Sequence, residues 1–118
     1  MGHGAGHEMK TRLRADLRVA MKERRADDAR LIRSLVAAID NAEAAPLPVG
    51  RKAADQHRFP DGSAEAERLL LSPVQVSAVL MAQIEERERA ADEMDRLGKP
   101  GRAAALRAEA LLARRYLE

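Results

Sequence analysis

Cysteine is absent from this 118-residue sequence. Disulfides, thiolate metal sites and thiol nucleophiles are therefore excluded, and a cytoplasmic location is expected. Aromatic residues are almost missing: one Phe, one Tyr and no Trp, too few to build the stacking platform of a single-strand binder. Long hydrophobic runs are missing too. Residues 35–39 (LVAAI) form a run of only five, far short of a membrane span. The N-terminus lacks a basic segment followed by an apolar one, so no secretory signal is read there. There is no Gly-rich phosphate loop, no alternating strand pattern and no internal repeat. What is abundant is Ala, Leu, Arg and Glu, the composition of a helical chain.

The net charge is +2, with a pI of about 9.4, and it is unevenly spread. Residues 9–44 carry nine Lys and Arg against six Asp and Glu, whereas residues 73–100 carry four against six. A mildly basic first half permits nucleic-acid binding without requiring it.

Residues 1–8 (MGHGAGHE) show no periodicity and read as a disordered leader; residues 9–118 read as one helical domain. Leu13, Leu17 and Met21 recur every four residues and predict a first helix over about 9–25. Asp27 is a candidate N-cap for a second helix over about 28–44, whose broad apolar face comprises Leu31, Ile32, Leu35, Val36 and Ile39. Residues 45–72 contain three prolines, two glycines and a Pro60-Asp61-Gly62 turn signal; they read as a long loop, with a short helical piece over 64–70. Ser72-Pro73-Val74-Gln75 is a capping-box helix start, and Gly98 is the matching stop, giving a third helix over about 73–97. Arg87 falls on its apolar seam. A fourth helix follows over about 102–117. Short links pair these elements into two antiparallel helical hairpins, an all-α bundle of four main helices.

Few residues point to chemistry. His57 is the only His outside the leader. His3 and His7 are four apart in a Gly-rich stretch, and Glu85, Glu86 and Glu88 fit a solvated face laced with Arg87 and Arg89. No catalytic residue, metal ligand or cofactor is assigned. Lys10, Arg14, Arg18 and Lys22 form a basic stripe, to which the same half of the chain adds Arg24, Arg25, Arg30 and Arg33. It reads either as a solvated face or as a face contacting nucleic-acid phosphates. A half-buried Arg87 needs acceptors; Asp40, Asn41 and Glu43 at the exit of the second helix are candidates, and Asn41 or Glu43 is expected to hold it, tying hairpin to hairpin.

The string ARLIRSLVAAIDNAEAA (29–45) resembles the second-helix signature of the GatB/YqeY family through Leu31, Arg33, Leu35, Ala38, Ile39, Asn41, Ala42 and Glu43. MKTRLRADLRVAMKERR (9–25) resembles the family's opening helix. Residues 71–118 resemble its long hairpin, including the Arg87 region, Leu97-Gly98, Arg102, Glu109 and Tyr116-Leu117. The resemblance implies a YqeY-like helical bundle related to the C-terminal tail of the tRNA-dependent amidotransferase B subunit, and a bacterial, non-catalytic accessory module associated with tRNA or another structured RNA. It brings the family label of a carbon–nitrogen ligase with glutamine as amido-N-donor by association only. It further implies an aminoacyl-tRNA synthetase or amidotransferase complex as a protein partner. Family members commonly continue into a second small helical subdomain, and the resemblance covers only the first. The alternative reading is a helical protein-interaction module, such as a homodimer, without nucleic-acid binding.

Overall fold

The computed structural model describes residues 4–44 and 68–118, so the central part of the expected loop and the proposed helical piece over 64–67 lie outside the described residues. The described residues form four α-helices: α1 (Ala5–Lys22), α2 (Ala26–Glu43), α3 (Pro73–Arg96) and α4 (Pro100–Arg114), with a final 3₁₀ turn at Arg115–Leu117. The fold is all-α. Among the described residues the one β pairing is an isolated antiparallel bridge between Ala44 and Arg68.

Two antiparallel hairpins result, as the short links require. In the second, Glu88 lies opposite Arg114, and Asp92 and Asp95 opposite Arg107, which fixes the register of α3 against α4. In the first, Lys10 faces Asp40 and Glu43, and Met21 faces Arg33. The hairpins share one core, in which Leu13, Leu31, Leu35, Ile39, Leu80 and Ile84 are the largest fully buried side chains. A smaller cluster of Ala91, Ala103 and Leu106 closes the outer end of α3 and α4. Small residues along α4 let that helix approach α3 closely.

The helix ends correct several expectations. α1 starts at Ala5, so Gly4 to Glu8 belong to the fold rather than to a disordered leader; residues 1–3 lie outside the described residues. Asp27 does not cap α2. The N-cap position is Arg25 and makes no side-chain cap bond, while Asp27 and Asp28 sit inside the first turn, where negative charge complements the helix dipole. α4 begins two residues earlier than its apolar stripe suggests, with Pro100 in its first turn. At α3 the reading holds in full: Ser72 and Gln75 form the reciprocal capping box.

Both hairpins turn through the same motif. After α3, Gly98 N–H donates to Asp95 O and Lys99 N–H to Met94 O. After α1, Arg24 N–H donates to Met21 O and Arg25 N–H to Ala20 O. The residue after the cap is left-handed each time, Gly98 at φ 74° and Arg24 at φ 61°. Glycine adopts this conformation freely, whereas a residue with a Cβ does so at a cost of about 1–2 kcal/mol. Arg24→Gly should therefore stabilise the fold by about 0.5–1 kcal/mol, after discounting glycine's greater freedom in the unfolded chain. The check is a urea midpoint that rises with unchanged m-value; a lower midpoint would show that the Arg24 side chain itself holds the turn.

Candidate functional site

The most heavily built polar site lies where the N-terminal half of α1 meets the C-terminal end of α2. Lys10 is 9% exposed and Glu43 6%, a rare depth for either residue type. Lys10 Nζ donates to Glu43 Oε1 at 2.5 Å and to Asp40 Oδ1 at 2.7 Å. Arg68, just after the undescribed segment, adds a second cation, with Nη2 3.5 Å from Glu43 Oε1 and 3.7 Å from Asp40 Oδ1. Two ammonium or guanidinium charges thus balance two carboxylates. Burial by itself pulls the Lys10 pKa down, but the hydrogen bonds Lys10 donates to Asp40 and Glu43 and their negative charges outweigh it and hold it above the ordinary lysine value.

Backbone contacts complete the junction. Leu69 N–H donates to Glu43 O at 2.7 Å and Ala5 N–H to Leu71 O at 3.0 Å, so the returning chain ties the last carbonyl of α2 to the first turn of α1. Gly6 lies one turn before Lys10 and lets the helices close. A Cβ there would run into Glu43 Oε2 and sit 3.3 Å from Ile39 Cγ2.

These placements revise the expected sites. Glu43 does not hold Arg87. The Arg87 guanidinium is taken within the second hairpin, by Glu109 Oε1, Gln83 O and Gln83 Oε1, each at 3.0 Å. Asn41 is exposed. Residues two apart on a helix point in nearly opposite directions, so Glu43 can face α1 only if Asn41 faces solvent. Lys10 leaves the phosphate-contacting stripe for a related reason. A four-residue repeat drifts about 40° per step around a helix, and three steps carry Lys10 about 120° from Lys22, into the sector of Gly6 and Leu13.

Arg14, Arg18, Lys22 and Arg33 are exposed and have no carboxylate partner among the described residues. Arg33 Nη2 instead rests 3.4 Å from Met21 Sδ. Arg30 is also exposed but is hydrogen-bonded to Asp27, and that bond first, with Glu109 contributing less, raises its pKa. Where α4 ends, Tyr116 is 6% exposed. Its hydroxyl donates to Asp16 Oδ2 at 2.6 Å, and the Arg12 guanidinium stacks 4.6 Å from the ring centroid. Burial first, then the Asp16 bond, raises the Tyr116 pKa above the phenol range. The clasp joins the chain's last turn to α1. Among the described residues no group of three or more His, Asp and Glu could hold a metal ion, and no helix is long and apolar enough to cross a membrane.

Gly6, Arg68 and Asp16 escape the sequence reading, as do the pairing of Asp40 with Lys10 and the left-handed backbone of Arg24. Only Gly6, a glycine one turn before a lysine, carried a local signal. Compared with protein-family models, curated proteins and solved structures, the chain matches none.

Two outcomes follow for the junction. Gly6→Ala should destabilise the protein although alanine is the better helix former by about 1 kcal/mol, because the new methyl displaces a buried carboxylate; a higher thermal midpoint would refute the close approach. Lys10→Met leaves Glu43 buried with only a half-exposed arginine nearby and should cost about 3 kcal/mol. The Lys10→Met/Glu43→Leu double variant should recover much of that loss in a denaturant double-mutant cycle. Because the folded Lys10 pKa is raised, the pair's contribution is intact below the unfolded lysine pKa of about 10.4 and fades as pH climbs through the folded value. The gap between wild type and Lys10→Met should narrow above that pH.

Proposed function

We propose that this chain is a non-catalytic accessory module of the GatB/YqeY type that binds the phosphate backbone of tRNA or another structured RNA in the cytoplasm. One observation carries the reading. Arg14, Arg18 and Lys22 stand in a row along exposed α1 and are met by no carboxylate among the described residues. In the second hairpin Arg96, Arg107 and Arg114 are each matched by an acid. The exposed Arg89, Arg102 and Arg115, which meet no carboxylate among the described residues, are scattered over α3, α4 and the final turn rather than set at successive turns of one helix. Uncompensated cations at successive turns neutralise phosphates without reading bases. The motif resemblance over 29–45 supports the family assignment and gives the RNA reading its tRNA orientation. Lys10 has no place in this surface, since it is occupied by Asp40 and Glu43.

Titrating tRNA across a salt series tests the proposal. Affinity should fall linearly with log salt, and the triple variant Arg14→Ala/Arg18→Ala/Lys22→Ala should flatten the slope by about 2–3, at 0.7–0.9 per phosphate. No binding at low salt would remove the RNA reading and favour the protein-interaction module.

A further inference from the structure

The left-handed Arg24 sits on the edge of an open trough of about 390 Å³ at the α1–α2 turn. Met21 and Ala29 contribute its apolar floor, and Arg24, Arg25, Arg30 and Arg33 surround it. Two of these four cations are already answered. Arg25 pairs with Asp28 at 2.7 Å and Glu23 at 3.0 Å, and Arg30 pairs with Asp27. The other two, Arg24 and Arg33, have no carboxylate partner among the described residues. Arg33 has only the Met21 thioether beside it, a weak acceptor that leaves its donors available.

The two hairpin turns supply the decisive comparison. They share one hydrogen-bond pattern and one left-handed position. The second turn uses Gly98, around which a Cβ would meet nothing within 4 Å. The first uses an arginine, the strained choice, and it does so where four guanidinium groups already gather. Strain that the turn itself does not need marks a residue kept for what its side chain does.

We infer that this trough seats one phosphate group of a bound RNA between Arg24 and Arg33, with the adjoining sugar resting on the Met21 and Ala29 floor. Arg24 and Arg33 are its binding residues, and the Arg24 backbone conformation places a guanidinium at the hairpin tip, beyond the α1 row. The inference rests on the RNA reading above and extends the contact from α1 around the turn. Planar guanidinium groups suit a phosphate, which two donors can grip from two sides, Arg24 from the turn and Arg33 from α2.

The test uses the full chain with tRNA as probe. Arg24→Gly should melt at a higher temperature yet bind roughly tenfold more weakly, with the log-salt slope smaller by about one. Arg33→Gln should show the same slope loss without the gain in melting temperature. If both variants bind with unchanged affinity and slope while the Arg14/Arg18/Lys22 variant loses slope, the trough is overturned and the α1 reading stands. Weaker binding at an unchanged slope would mean altered hairpin geometry rather than a lost phosphate contact, and would overturn it as well. Absence of tRNA binding by the unmodified chain at low salt overturns both.

Discussion

The ammonium of Lys10, withdrawn from water between Asp40 and Glu43, decides how the first hairpin closes. Removing such charges from solvent is expensive, and their attraction repays it only at good geometry. The pair therefore contributes more to register than to net stability. Sliding α1 by one turn along α2 would leave Glu43 buried without a cation, a penalty of several kcal/mol, whereas the surrounding leucines and isoleucines would tolerate a slip far better. Other features accommodate this junction. Gly6 gives room for it, Arg68 shares its carboxylates, and the returning backbone is bonded to the helix ends on either side of it. The start of α3 follows four residues later, so the position of the second hairpin inherits the choice.

Charge divides the molecule along the same line. In the second hairpin Arg107 and Arg114 of α4 are laced to acids of α3, with Arg107 between Asp92 and Asp95. The Arg87–Glu109 pair is half-buried in that lacing. In the first hairpin Asp40 and Glu43 are drawn to Lys10, Asp27 and Asp28 sit in the first turn of α2, and Arg14, Arg18 and Lys22 on the outer face of α1 meet no carboxylate among the described residues. The second hairpin is neutral, with eight Lys and Arg against eight Asp and Glu over residues 73–118, so the small positive net charge of the chain comes from the first.

How much of this was legible in sequence depended on the range of the interaction. The capping box at Ser72 and the stop at Gly98 are written within a few residues, and both appear where expected. The apolar face of α2 also reads correctly, since helical period decides it. The four-residue stripe of α1 does not hold to its end: Leu13 is buried and Met21 is 53% exposed, carried off the core face by the drift of that repeat. What else failed involved partners far apart in sequence. Lys10 and Glu43 are separated by 33 positions, and nothing in either segment says that they meet. Asn41 and Glu43 were grouped because they are neighbours in sequence, although helical geometry sends them to opposite sides. The sequence stripe of Lys10, Arg14, Arg18 and Lys22 concealed its own drift around the helix, and with it the one member that turns inward. Arg24 counts as one more basic residue in sequence, and its left-handed φ leaves no mark on composition.

The bridge between Ala44 and Arg68 has a consequence for how the chain could vary. Residues 44 and 68 lie side by side, with Leu69 bonded straight back to Glu43. Neither α2 nor α3 measures the distance travelled in between. Lengthening, shortening or replacing the intervening stretch would leave the ends in register, so the fold can accept an insert there without the two hairpins sensing its size. That junction is latched by the same residues that set the register of the first hairpin, through Arg68 beside Glu43 and Asp40 and the Leu69 bond to the end of α2.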